Sequence, residues 1–284
     1  MRLFFYGVKM SNQELSPDSD LGMRQNVMKE EFGWEVPVES IPLPTRGAIY
    51  HPDSSLYNRE VLQIKAMTAR EEDILASPAF HKEGTSISHL IQSCLIDKSI
   101  SSEDMITGDR MALMVGIRVT GYGPEYHASA GCQSCDTRND FVVDLSSLTI
   151  KRLEISPVEP GTNKFEFNLP VTKKKVVFKY VTAREERERK ISTESMQRVM
   201  GSSFANSVTS FLENSIVSVS GITDRLKIRH FVMNMPAYDS KSLRRFIIDN
   251  EPGMDMSCGF NCKKCGTRND TKMPMTTEFF WPTK

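Results

Sequence analysis

Hydrophobic and polar positions change rhythm several times along the chain, and the changes mark its elements. Val61-Leu62-Gln63-Ile64-Lys65-Ala66-Met67 and Val176-Val177-Phe178-Lys179-Tyr180-Val181 are short and rich in β-branched and apolar residues. They predict strands. Each runs directly into Thr-Ala-Arg-Glu-Glu, at 68–72 and at 182–186. This is a capping box. The threonine hydroxyl accepts from the backbone N–H of the glutamate three residues on, and that glutamate reaches back to the threonine N–H. A strand therefore hands over to a helix twice in the same way, and these residues are structural rather than catalytic. From Thr85 to Asp97, the spacing of Ile87, Leu90, Ile91, Cys94 and Leu95 predicts an amphipathic helix with Cys94 on its apolar face, a core thiol rather than a ligand. Asp109 opens an apolar run through Val119. Periodicity leaves this run between helix and strand, and its pairing with a second run behind Asp224-Arg225 favours helix. Met235-Pro236-Ala237 breaks that second run. Asp239 then caps a helix bearing Leu243, Phe246 and Ile247, which stops at Glu251-Pro252-Gly253.

One short stretch also occurs twice. Cys132-Gln133-Ser134-Cys135-Asp136-Thr137-Arg138-Asn139-Asp140 returns as Cys262-Lys263-Lys264-Cys265-Gly266-Thr267-Arg268-Asn269-Asp270. With the repeated cap, this predicts two related tandem halves. The spacing is 114 residues at the caps (68 to 182), 115 at the Asp-Arg pairs (109 to 224) and 130 at the cysteines (132 to 262). That places an insertion of about 15 residues, with the Leu243 helix as its content, just before the second cysteine pair. The expected organisation is an N-terminal arm over 1–42, with a short helix near Met23–Phe32, and a first half over 43–150. A linker over 151–168, rich in proline and glycine, leads to a second half over 169–284. The expected class is α+β and helix-rich. After each cysteine pair the chain is expected to run extended, through Phe141–Leu145 in the first half. In the second it runs through Met273–Met275 and Phe279-Phe280-Trp281-Pro282, whose aromatics pack back on the body.

The cysteines carry the candidate chemistry. A C-x-x-C turn offers two thiolates, and two such turns complete the tetrahedral shell that zinc prefers. Cys132, Cys135, Cys262 and Cys265 are thus predicted to hold one zinc ion. With all four positions filled by protein, the site is structural, with no open position for water or substrate. Three alternatives stand beside this one. Cys258 precedes Cys262 by four residues and offers a third thiol in the second half. His127 precedes Cys132 by five and offers a ligand within the first. The four thiols could also sit in tight turns without metal. A redox role is disfavoured, because neither pair opens a helix after a strand.

Composition narrows the function. Six cysteines in 284 residues, four of them in C-x-x-C pairs, fit a reducing compartment and metal binding better than a disulfide scaffold. The chain carries 36 basic and 36 acidic residues, so no global field draws it to nucleic acid or anionic lipid. No apolar run approaches a membrane span, and the short N-terminal run lacks the features of a signal peptide. There is no nucleophile elbow, phosphate loop, dinucleotide fingerprint or H-E-x-x-H. The charge run Arg184–Lys190 reads as a solvated helix face. No small-molecule substrate or catalytic residue is implied, and a binding or assembly role is expected.

Further motifs carry a family likeness. They are Leu43-Pro44-Thr45-Arg46-Gly47, the first Thr-Ala-Arg-Glu-Glu, Gly108-Asp109-Arg110, Gly121-Tyr122-Gly123-Pro124-Glu125-Tyr126 and the first cysteine pair. Others are Met235-Pro236-Ala237-Tyr238-Asp239-Ser240, Leu243-Arg244, Glu251-Pro252-Gly253-Met254-Asp255-Met256, the second cysteine pair and Phe279-Phe280-Trp281-Pro282. From about residue 40 onward the chain resembles the T4-type baseplate hub proteins of contractile-tailed bacteriophages. The resemblance implies a role in virion morphogenesis, as a hub component or an assembly factor. It also implies phage hub or tail proteins as partners and a location in the host cytoplasm or the tail baseplate. The rival reading is a zinc-ribbon nucleic-acid-binding regulator, against which the zero net charge counts.

Overall fold

The computed structural model describes residues 29–200, 207–273 and 277–281. It divides into two compact units, up to Pro37 and from Val38 onward. In the first, residues 29–32 are helical, Gly33 turns the chain with φ of 65°, and Lys29 pairs with Glu35. The rest of the helix expected near Met23–Phe32 lies outside the described residues.

The second unit mixes helices with small antiparallel sheets, as the α+β reading expects. Strands β1 (Val38–Pro42) and β2 (Val61–Lys65) pair, so 38–42 belongs to this unit although the arm was expected to reach 42. Helices α1 (Ala69–Ala76), α2 (Pro78–Glu83), α3 (Ser86–Cys94) and α4 (Thr107–Tyr122) follow. A hairpin of β3 (Glu125–Gly131) and β4 (Arg138–Asp144) carries the first cysteine pair at its turn. The segment expected to be a linker contains strands: β5 (Ile150–Lys151) overlaps its start and β6 (Phe165–Asn168) ends it. Strand β6 pairs with β7 (Lys175–Phe178), which pairs in turn with β8 (Ile216–Val219). Helices α5 (Ala183–Met200) and α6 (Ser207–Ser215) precede β8, and α7 (Arg225–Met233) and α8 (Ala237–Asn250) follow it. The short β9 (Gly253–Met254) leads into a second hairpin, β10 (Ser257–Asn261) and β11 (Arg268–Lys272), with the other cysteine pair at its turn.

Both Thr-Ala-Arg-Glu-Glu segments start helices as expected. The Glu71 carboxylate accepts from the Thr68 N–H at 2.9 Å, and the Glu185 carboxylate from the Thr182 N–H at 3.1 Å. Each glutamate also takes a lysine six residues back, Lys65 for Glu71 and Lys179 for Glu185. Burial pushes the Glu71 carboxyl up, but hydrogen bonds from Lys65, Ser93 and Thr68 outweigh it and bring its pKa to about 2.

A second structural parallel corrects the sequence register. Asp109 is the third residue of α4, fully buried, and it accepts from the Thr45 N–H at 3.0 Å, the Thr45 hydroxyl at 2.5 Å and the Tyr50 hydroxyl at 2.7 Å. Its counterpart in geometry is Asp239, not Asp224. Asp239 is the third residue of α8, also fully buried. It accepts from the Val171 N–H at 2.7 Å and from the Thr172 N–H and hydroxyl at 3.0 and 2.8 Å. Each aspartate thus anchors the loop behind a Leu-Pro pair, Leu43-Pro44 or Leu169-Pro170. Asp239 does not cap α8; Pro236 stands there. Asp224 is an exposed cap of α7, accepting from Leu226 and Lys227. The spacing from Asp109 to Asp239, 130 residues, equals that from Cys132 to Cys262.

The core is one continuous apolar cluster that draws on both parts of the unit, including Leu43, Ile64, Leu90, Cys94, Leu113, Ile117, Phe165, Phe178, Ile216, Leu243 and Ile247. Cys94 lies within it as expected, and burial pushes its thiol up to about 12. Phe279 and Phe280 are fully buried, as expected, but Thr277–Phe280 forms a 3₁₀ turn rather than an extended run.

Candidate metal centre

The two cysteine turns meet because the chain beside each hairpin is tied to the other. Strand β5, just after the first hairpin, pairs with β9, just before the second, in the register Ile150↔Met254 and Lys151↔Gly253. The Asp255 N–H continues this pairing to the Thr149 carbonyl at 2.9 Å. Farther along, Phe141 of β4 stacks on Phe260 of β10 with ring centroids 4.7 Å apart. Tyr126 of β3 packs on Phe279 at 5.3 Å. Arg118, almost wholly buried, fixes the exit of α4 by donating to the carbonyls of Gly123 and Glu125 at 2.9 and 3.1 Å.

Each turn has the same backbone. The Cys132 N–H donates to the Thr137 carbonyl at 3.0 Å and the Asp136 N–H to the Cys132 carbonyl at 2.9 Å. In the second turn, the Cys262 N–H donates to Thr267 and the Gly266 N–H to Cys262, both at 2.9 Å. The residue after the second cysteine is left-handed in both, with φ of 54° at Asp136 and 73° at Gly266. Aspartate and glycine are among the residues that tolerate this region, which explains why the repeated stretch can differ there.

The four thiols converge. Cys132 Sγ lies 3.6 Å from Cys265 Sγ, and Cys135 Sγ lies 3.7 Å from Cys262 Sγ and 3.5 Å from Cys265 Sγ. All four sulfurs fall within 4.8 Å of one another. A tetrahedron with metal–sulfur bonds of about 2.3 Å has edges of about 3.8 Å, so these spacings are compatible with a common ion. They exceed the ~2.05 Å of a disulfide, and all six cysteines are free. Cys132 and Cys262 are buried, Cys135 is half-buried and Cys265 is exposed, so the cluster opens on one side. Among the described residues this is the group of metal-capable side chains that comes together. Neither Cys258 nor His127 joins it. Both instead line a separate surface groove between the hairpins.

The repeated tail has a role that the sequence did not assign. Asn139 and Asn269 are buried and cross over to the opposite turn. Asn139 Oδ1 accepts from the Lys263 N–H at 2.8 Å, and Asn269 Oδ1 from the Gln133 N–H at 2.9 Å. Their amide nitrogens donate to the partner turn's first sulfur, Asn139 to Cys262 at 3.6 Å and Asn269 to Cys132 at 3.5 Å. Each also donates to its own threonine carbonyl, Asn139 to Thr137 at 2.7 Å and Asn269 to Thr267 at 2.8 Å. The arrangement is reciprocal, like a two-fold contact folded into one chain. The only trace in the sequence was an asparagine four residues after the second cysteine of each pair.

At Cys262 and Cys265 the surrounding donors favour the thiolate. The Cys265 backbone N–H chiefly lowers the Cys262 thiol, against burial and with help from the Lys264 N–H and Asn139, to about 6. The Thr267 hydroxyl and N–H draw Cys265 down as well, whereas at Cys135 the same pull from the Thr137 hydroxyl and N–H is outweighed by burial and by the Cys265 and Cys262 thiols, which raise it. Soft anionic donors, N–H groups aimed at sulfur and matched spacings all suit a thiolate-bound cation.

No helix among the described residues is long and apolar enough to cross a membrane. No curated protein and no solved structure gives a significant match to the chain. The family model described as T4 bacteriophage base plate protein matches residues 51–281, which include both cysteine turns and both capped helices, and the chain belongs to that family.

Proposed function

We propose that the chain is a non-enzymatic structural or assembly protein of the phage baseplate hub, stabilised by one zinc ion on Cys132, Cys135, Cys262 and Cys265. The convergence of four thiols from two turns 130 residues apart carries the zinc reading, and family membership carries the baseplate reading. Zinc here would tie two distant hairpins and leave no open coordination position, so its contribution would be to folding rather than catalysis. Four thiolates favour zinc over hard oxygen-seeking cations. The same reading holds that 43–150 and 169–284 are tandem halves. The matched lysine–glutamate caps, the matched aspartate anchors and the uniform spacing from Asp109/Asp239 to the cysteines support it. Its partners would be hub or tail proteins, met in the host cytoplasm during assembly.

Metal analysis of the purified protein tests the first part: one zinc per chain is expected. Cys265→Ser should lower zinc content and thermal stability together, and unchanged metal in that variant would refute the shared site. Affinity purification from infected cells tests the second part. Hub or tail proteins should co-purify, and salt-sensitive DNA binding without them would favour the regulator instead.

A further inference from the structure

Five of the fifteen exposed large apolar side chains among the described residues fall between 222 and 248: Ile222, Leu226, Met233, Tyr238 and Ile248. Ile222 precedes α7, and the other four are placed regularly on α7 and α8. Helix α7 buries Ile228 and Val232, which turns Leu226, Arg229, His230 and Met233 outward. Helix α8 buries Asp239, Leu243 and Ile247, which turns Tyr238, Lys241, Arg245 and Ile248 outward. On each helix, apolar residues therefore bracket basic ones along the outer face. A solvated face requires charges, but it does not require Leu226 at 78% exposure or Tyr238 at 65%.

The charge of the segment selects a partner. Between 221 and 250 the chain has six lysines and arginines, three aspartates and no glutamate, although the whole chain is neutral. One of the three aspartates, Asp239, is buried and committed to Val171 and Thr172. Arg225 donates to the Ile216 carbonyl, Arg229 lies 3.8 Å from Glu213, and Arg245 lies 3.3 Å from Asp249. Among the described residues, neither Lys227 nor Lys241 has a carboxylate at ion-pair distance. Large apolar side chains among cations of one sign match a surface of opposite charge with an apolar centre. We propose that the outer faces of α7 and α8 are a docking surface for an acidic protein partner whose carboxylates surround apolar side chains. A nucleic acid fits less well, since Tyr238 is the one aromatic among the four apolar residues on these faces, and Leu226, Met233 and Ile248 offer no stacking ring. The proposal rests on the assembly reading only in where the partner is sought.

The test is photo-crosslinking in phage-infected cells, with a benzophenone amino acid placed in turn at Leu226, at Tyr238 and at Val158, an exposed control outside these helices. Adducts are identified by mass spectrometry. Expected are adducts from Leu226 and Tyr238 to the same protein, through a segment in which Asp and Glu outnumber Lys and Arg, and none from Val158. Lys241→Glu with Arg245→Glu should lower the yield at least tenfold, and Lys241→Arg should preserve it. All these positions are solvent-facing, and an unchanged melting temperature confirms that each variant is folded. The proposal is overturned by the absence of a protein adduct at both positions, by adducts to nucleic acid or to a second copy of this chain, by a non-acidic crosslinked segment, or by a yield indifferent to charge reversal. An adduct to an acidic protein foreign to the baseplate would sustain the surface and sink the hub reading. Co-purification with hub proteins without any adduct would do the reverse.

Discussion

Replacing Asn139 or Asn269 by alanine should damage the thiol cluster without touching a single sulfur. Each side chain makes three hydrogen bonds: one to a backbone N–H of the opposite turn, one to the opposite turn's first sulfur and one to its own threonine carbonyl. The three bonds contribute about 0.5–1.5 kcal/mol net each. The expected loss is therefore about 2–4 kcal/mol per asparagine. Only the part that orients sulfur appears in metal affinity, where loss of such a partner typically costs roughly 10–100-fold. The assay is competition for zinc against a chromophoric chelator, run beside urea unfolding of the zinc-loaded protein. Because the two sets of distances agree to within 0.1 Å, the two variants should lose affinity by nearly equal factors despite lying 130 residues apart. Asn139→Asp should be worse than Asn139→Ala, since it sets a further negative charge beside thiolates. Unchanged affinity in both alanine variants, or a loss in one alone, would refute the reciprocal role argued for the pair.

Other consequences follow from the capping residues, the core and one close contact. The folded pKa of Glu71, about 2, lies below its ordinary 4.5. It therefore contributes stability above about pH 4.5, on the order of 3 kcal/mol, which is lost as pH falls through about 2. Urea midpoints between pH 7 and pH 2 should show this loss, and Glu71→Gln should weaken that dependence. At pH 7 the same substitution leaves the Lys65 ammonium, 8% exposed, without its carboxylate and should cost about 3–5 kcal/mol by urea unfolding. A Cβ on Gly108 would lie 1.8 Å from the Pro252 carbonyl oxygen, where backbone must give way, so Gly108→Ala should unfold cooperatively at a much lower temperature. Leu113→Ala and Leu243→Ala, both in fully buried positions on α4 and α8, should each cost about 2–5 kcal/mol in denaturant titrations.

The features legible from residue order alone are local ones. The strands at 61–65 and 175–178, the capped helices behind them, the buried face of α3 and the tight cysteine turns all depend on residues within a few positions of one another. Hydrogen-bond caps and hydrophobic period therefore reveal them without the fold. The tertiary structure decided which distant elements answer each other. Asp224 looked like the partner of Asp109 because both precede an arginine and an apolar run. Asp239 shares its role instead, because it is buried against the loop after Leu169-Pro170, a contact 67–68 residues away in sequence. The strands within 151–168 were hidden because their ladder partners, β9 and β7, lie in other segments. The asparagines of the repeated tail stayed silent for the same reason. An amide can hydrogen-bond almost anything, and the opposite turn comes within its reach through the β5–β9 pairing and the Phe141–Phe260 stack.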